Sequence, residues 1–222
     1  MIIAQGGTNM LGRTHFFVGI ATALIALRPE SLPVVVAGTG AAAIGGVISD
    51  IDSGTSTAHK EADKIVVAAS LALGAVIIIE YNFHIGIYKR LLADSNLYRI
   101  MTGSLAFILL CVFGMRQPHR SFMHSLLALF LLSSCVGIIF PEVTPYFTIG
   151  YASHLIIDLL NRKREKIFWP MKKGYSFNLC SSKGYVNKMM MIAGILISAI
   201  YISTLPYVQE AYAAMLAVLS LN

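Results

Sequence analysis

His119-Arg120-Ser121-Phe122-Met123-His124 runs directly into the apolar stretch His124–Phe140, and this junction decides how the chain is read. Ionisable side chains are costly beside hydrocarbon, so where they abut a long apolar run they mark function. The same junction recurs three times. Thr14-His15 opens the run Thr14–Leu27, Ser49-Asp50-Ile51-Asp52 closes the run Leu32–Ser49, and Ser153-His154-Leu155-Ile156-Ile157-Asp158 lies within Tyr146–Leu160. Further apolar runs cover Ile65–Glu80, Ile100–Met115, Met189–Leu205 and Tyr207–Leu221.

Composition agrees with this reading. Of the 222 residues, 56% are hydrophobic and 13% charged, against roughly 25% charged in a soluble domain. Mean hydropathy is +0.71. These values and the repeated runs predict an all-α protein, a polytopic transmembrane helical bundle of about six to eight membrane segments. Residues 1–222 form one integral membrane domain in this reading, with a basic cytoplasmic loop at 161–188. Arg13 followed by Phe16–Leu27 imitates a signal peptide, but Arg28-Pro29-Glu30 follows without a small-residue cleavage site, which favours an uncleaved first helix.

The net charge is +6, and its placement is informative. From Arg162 to Lys188 there are eight Lys or Arg against the single acidic Glu165. The positive-inside rule puts this loop in the cytoplasm. Membrane lipids, including anionic headgroups, are the expected partners. No aromatic-basic module accompanies the cluster, which argues against nucleic acid. Cys111, Cys135 and Cys180 form no CxxC or disulfide framework. Oligomeric state is not legible.

Counting spans back from the basic loop brings His15, Asp50, Asp52, His119, His124, His154 and Asp158 to one membrane level, near the cytoplasmic face. His154 and Asp158, four apart, share one face of a helix. Asp50 and Asp52 diverge in a helix but face one way in an extended segment. Pro118 places His119 at or just before a helix start. Arg120 offers a planar fork for a carboxylate or an anionic oxygen. His59, in the polar loop Ser53–Lys64, is a further candidate ligand, and His84 falls on the opposite side. The small-residue stretch Gly38–Gly46 reads as a close helix contact, since no Gly-Lys-Ser/Thr follows it.

Imidazole with carboxylate is a mixed ligand set that suits divalent metal ions, zinc first, with manganese, iron and nickel also fitting. Seven candidate ligands exceed what one tetrahedral zinc needs, so one or two ions are expected. The chemistry that follows is hydrolysis by a metal-activated water. Asp52 would accept the water's proton and Arg120 would stabilise the developing negative charge. A lipid-derived or phosphate-containing ester is the expected substrate. The alternatives are a proton- or metal-ion-binding transporter, whose polar residues would continue to the other face, and a regulatory membrane protein.

The order of these pieces resembles the YdjM-like family of bacterial membrane-bound metal-dependent hydrolases. That family's pattern runs from an early Thr-His or Gly-His, through Pro-Asp-Ile-Asp and His-Arg-Gly-x-Thr-His-Ser, to Gly-x-x-Ser-His-x-x-x-Asp and a Trp-Pro. The matching pieces here are Thr14-His15, Asp50-Ile51-Asp52, His119-Arg120 with His124-Ser125, Gly150 with Ser153-His154 and Asp158, and Trp169-Pro170. Ser49 stands where the family has proline, and Ser121 and Met123 stand for its glycine and threonine. Every proposed ligand is retained. The resemblance implies residence in the bacterial inner membrane as a multi-pass protein.

Overall fold

The computed structural model describes residues 11–52, 74–93, 96–179 and 184–220. His59, Cys180 and most of the run Ile65–Glu80 lie outside them. Among the described residues the regular structure is helical. The elements are α1 (Leu11–Leu27), α2 (Leu32–Ile48), a 3-10 turn at Ser49–Asp52, α3 (Gly74–Phe83), α4 (Ile87–Leu91), α5 (Leu97–Met115), a 3-10 turn at Phe122–His124, α6 (Leu126–Ile139), α7 (Thr144–Leu160), α8 (Tyr185–Thr204) and α9 (Pro206–Ser220).

Local chemistry sets several of these limits. Asn96 caps α5 by accepting the Arg99 N–H at 2.9 Å, and Ser125 caps α6 by accepting that of Ala128 at 3.1 Å. Proline stands in the first turn of α2 and of α7, where its missing N–H has no helical partner to lose. The start expected near His119 is displaced. Residues 122–124 form a 3-10 turn instead, and the helix begins only after the Ser125 cap.

Among the described residues, three helices are long and apolar enough to cross a membrane: Leu32–Asp52 (α2 with its 3-10 turn), Leu97–Met115 and Tyr185–Thr204. This is fewer than the six to eight segments expected. Length limits the shorter apolar helices, since α1 has 17 residues and α6 has 14. At 1.5 Å per residue they reach about 21–26 Å, short of a ~30 Å hydrocarbon core. The exposed surface is nevertheless that of a membrane protein. On α5, Leu105, Ile108 and Leu109 are exposed, and on α8 Leu196 and Ile200 are exposed. Apolar surface of this extent needs a non-aqueous solvent or a partner.

At the centre of the bundle α1, α2 and α7 pack on one another, while α8 covers the outer side of α1 and α5 flanks α6. Glycines permit the close approach. A Cβ on Gly150 would stand 2.2 Å from the carbonyl oxygen of Ala42, so α7 touches α2 backbone to backbone. The Gly38–Gly46 stretch therefore acts as a helix contact, as its small residues suggested. The main apolar core is built from Phe122, Met123, Leu132, Phe147, Tyr151 and Leu155. It lies directly beneath the ionisable cluster.

Candidate metal centre

Four segments meet at one end of the bundle. α1 starts there and α2 ends there, α6 starts there and α7 ends there. This up-and-down order brings together residues more than a hundred positions apart. All seven sequence-derived candidates arrive at the same place, and Arg120 arrives with them.

The histidines are held from outside the cluster. His154 Nδ1 donates to the Gly46 carbonyl at 2.8 Å, which leaves Nε2 as the free lone pair. The His15 ring stacks on that of His154, with centroids 3.8 Å apart. His124 meets His154 edge-on at 5.3 Å. His15, His124 and His154 are fully buried or nearly so.

The carboxylates fill the spaces between the rings. His124 Nε2 lies 3.6 Å from Asp50 Oδ1 and 3.4 Å from Asp158 Oδ2. His154 Nε2 lies 3.6 Å from Asp50 Oδ1 and 3.9 Å from Asp158 Oδ2. His15 Nε2 lies 3.4 Å from Asp158 Oδ1. These separations are long for hydrogen bonds. They are close to the spacing of two ligands that share one ion, about 3.0–3.4 Å for bonds of about 2.1 Å.

Asp52 is placed differently. Its Oδ1 accepts from His119 Nδ1 at 2.7 Å, and its Oδ2 accepts the Arg120 backbone N–H at 3.2 Å. His124 Nδ1 stands 3.4 Å from the same carboxylate. The spacing of five between His119 and His124 does not suit one helix face, but no helix is needed. The chain turns between them, and both rings reach Asp52 from different sides. Arg120 carries the turn in a left-handed conformation, φ 62°, which a non-glycine residue adopts at a cost of about 1–3 kcal/mol. That conformation points its N–H at Asp52 while its guanidinium reaches Asp158 Oδ2 at 2.8 Å and the Lys163 carbonyl at 3.1 Å.

The donor set fits a cation. His124 Nδ1 and Nε2 and His154 Nε2 are buried without a hydrogen-bond partner, a condition native interiors avoid unless something else satisfies the atoms. Three overlapping groups have ligand atoms within 4.8 Å of one another: His15 with Asp50 and His154, Asp52 with His119 and His124, and His124 with His154 and Asp158. Of the carboxylates of Asp50, Asp52 and Asp158, that of Asp158 is paired with the Arg120 guanidinium, while Asp50 and Asp52 face imidazoles, an arrangement a cation would complement. Among the described residues, the His119 side chain is 38% exposed and that of Asp50 19%.

Some participants were not singled out from the sequence. Asn161 donates from Nδ2 to Asp158 Oδ1 at 3.0 Å and is itself buried. Its position one turn after Asp158 was the available signal. Glu165 is fully buried near the cluster. His84 is not among the grouped ligands, and its Nδ1 lies 3.2 Å from the Glu80 carbonyl.

No match was found among curated proteins or among solved structures. The sequence model of the YdjM inner membrane protein family matches residues 10–222, nearly the whole chain. The match includes each helix that supplies the cluster, and the chain belongs to the YdjM inner membrane protein family.

Proposed function

We propose that this protein is a metal-dependent hydrolase embedded in the bacterial inner membrane, acting on a lipid-derived or phosphate-containing ester. The observation that carries the reading is the set of buried imidazole nitrogens without partners, facing carboxylates at ligand spacing. His15, Asp50, His124, His154 and Asp158 would hold a divalent ion, zinc first, with manganese, iron or nickel also compatible. Asp52 and His119 border that position and offer a third carboxylate and a fourth imidazole, room for a second ion. Such an ion polarises a carbonyl or phosphoryl oxygen and lowers the pKa of bound water.

The chain's own residues divide the remaining work. Asp52 is the carboxylate we assign to take the water's proton, and the bonds from His119 Nδ1 and the Arg120 N–H fix its orientation. Arg120 is anchored through Asp158 and Lys163, while its Nε is buried without a partner. That free donor suits an anionic oxygen of the substrate. Exposed Phe168, Met171 and Phe177 share the loop after α7 with Lys163, Lys166, Lys172 and Lys173. Apolar and cationic side chains together suit the headgroup level of an anionic leaflet, and in this reading that leaflet is cytoplasmic. The shorter helices α1, α6 and α7 would complete a multi-pass bundle by tilting or by local thinning of the bilayer.

The test is elemental analysis of the detergent-purified protein beside His124→Ala and Asp158→Ala variants, followed by product release from phospholipid vesicles. One or two ions per chain, lost in folded variants, with metal-dependent release of a lipid product, is the expected result. A native protein that binds no metal after reconstitution would overturn the reading and favour a proton path.

A further inference from the structure

Asp158 is divided between two donors, and the division leaves a third donor idle. Its Oδ2 accepts from Arg120 Nη2 at 2.8 Å, and its Oδ1 accepts from Asn161 Nδ2 at 3.0 Å. Only the amide nitrogen of Asn161 can donate to a carboxylate, so this bond fixes which way the amide points. Asp158 and Asn161 are both buried, 1% and 4% exposed. Asn161 is itself held at the end of α7. Its N–H donates to the Asp158 carbonyl at 3.1 Å, and its carbonyl accepts from the Ser176 hydroxyl of the following loop.

An arginine beside a carboxylate frequently takes both oxygens, through two parallel N–H bonds. Arg120 Nη1 is engaged by the Lys163 carbonyl at 3.1 Å, so the fork left for Asp158 is the Nη2–Nε edge. Only half of that fork forms. Nε is buried without a hydrogen-bond partner, although the second oxygen of the same carboxylate is the acceptor a fork would use. That oxygen is the one Asn161 holds, and His15 Nε2 lies 3.4 Å from it. A buried donor without a partner is destabilising, and Oδ1 would satisfy it if released.

We infer that Asn161 is a positioning residue, which holds Asp158 Oδ1 away from the fork and so reserves the Arg120 Nε–H for an anionic oxygen of the substrate. The inference rests on the role given to Arg120 above. The ligand chemistry that fits is a phosphoryl oxygen, which is anionic before any reaction. Without the Asn161 amide, Oδ1 closes on Nε, the fork becomes bidentate and the idle donor is consumed. The ligand then loses one charge-assisted hydrogen bond, a loss of roughly 10–100-fold in affinity.

The experiment uses the full chain in detergent at saturating zinc, with occupancy checked by elemental analysis, titrated calorimetrically with inorganic phosphate alone. The variants are Asn161→Leu, Arg120→Lys and the two combined. Leucine matches asparagine in size and carries no donor, and lysine lacks the fork. Asn161→Asp, which also lacks the donor, is run beside Asn161→Leu in case the latter does not fold. We expect phosphate binding roughly 10–100-fold weaker in the Asn161 variants. The combined variant should bind no more weakly than Arg120→Lys alone, because Asn161 acts through the arginine. Losses that add overturn the inference, since Asn161 would then act independently of Arg120. Unchanged phosphate affinity in the Asn161 variants also overturns it and leaves Arg120 and the metal centre standing. A wild type that holds zinc but binds no phosphate removes the role of Arg120 and this inference with it. A folded wild type that holds no zinc removes the metal-centre reading as well.

Discussion

Gly46 faces His154 through its carbonyl and His15 through its missing side chain. Its oxygen accepts the His154 Nδ1–H at 2.8 Å, and a Cβ on it would stand 2.6 Å from the carbonyl oxygen of His15. One residue of α2 thus sets the tautomer of one candidate ligand and the helix distance for another. Gly46→Ala must push α1 away, because the atom it meets is backbone and cannot rotate aside. The expected cost is about 1–3 kcal/mol, seen as a lowered thermal midpoint in detergent. Loss of bound metal should exceed what the destabilisation explains, because His15 and its stacking partner His154 separate.

The buttress formed by Asp52 gives a graded series. Asp158 is approached by three histidines and Arg120, so Asp158→Ala should abolish metal binding. Asp52→Asn keeps the shape but replaces one acceptor oxygen with a donor facing His119 or Arg120. It should retain metal with about 10–100-fold weaker affinity. His119→Ala, at the exposed rim, should have the smallest effect on affinity of the three. Calorimetric titration of zinc into metal-free protein ranks them. Equal losses in all three would contradict the assignment of Asp52 and His119 to the border of the site.

Much of this centre was legible because its residues sit where apolar runs begin and end, and a helical bundle brings alternate ends together. His15, Asp50, His124 and His154 needed only that count. The helix start near Pro118 was misplaced because proline marks a turn as readily as a first helical turn, and Ser125 supplies the stronger cap. The hydropathy runs give six to eight segments, and among the described residues three helices reach full spanning length, because runs ignore where backbone hydrogen bonding stops, as in the 14-residue α6. Glu165 was invisible for another reason. Its burial depends on the loop bonds Lys166 N–H to Arg120 and Leu126 N–H to Ile167, contacts between distant residues that no local pattern announces.

The exposed apolar face of α5 separates bilayer from water. Ile108 is 57% exposed and lies mid-helix. In water, Ile108→Arg would be nearly neutral, since surface changes are usually within about 0.5 kcal/mol. Facing hydrocarbon, it should cost about 2.5–3.5 kcal/mol of insertion free energy. Reduced membrane-integrated protein for Ile108→Arg, with Ile108→Leu unchanged, is the expected outcome of membrane fractionation. Normal integration of the Arg variant would mean that this face is not lipid-exposed.

Glu165 also predicts a pH dependence. Burial pushes its carboxyl from 4.5 up to about 8, opposed by His124 and Arg120 and reinforced by Asp158. Between those two values the folded protein holds a proton that the unfolded chain has released. Folding then binds protons, so raising the pH costs stability. This contribution is fully present below about pH 4.5 and is lost progressively as the pH approaches about 8. Thermal midpoints of the metal-free protein should therefore fall across that window more steeply in wild type than in Glu165→Gln. Comparing the two slopes cancels the groups they share, since His124, Arg120 and Asp158 are present in both. Parallel slopes would mean that Glu165 does not change its protonation on folding, and the buried, partnerless carboxyl would then have to be explained without a shifted equilibrium.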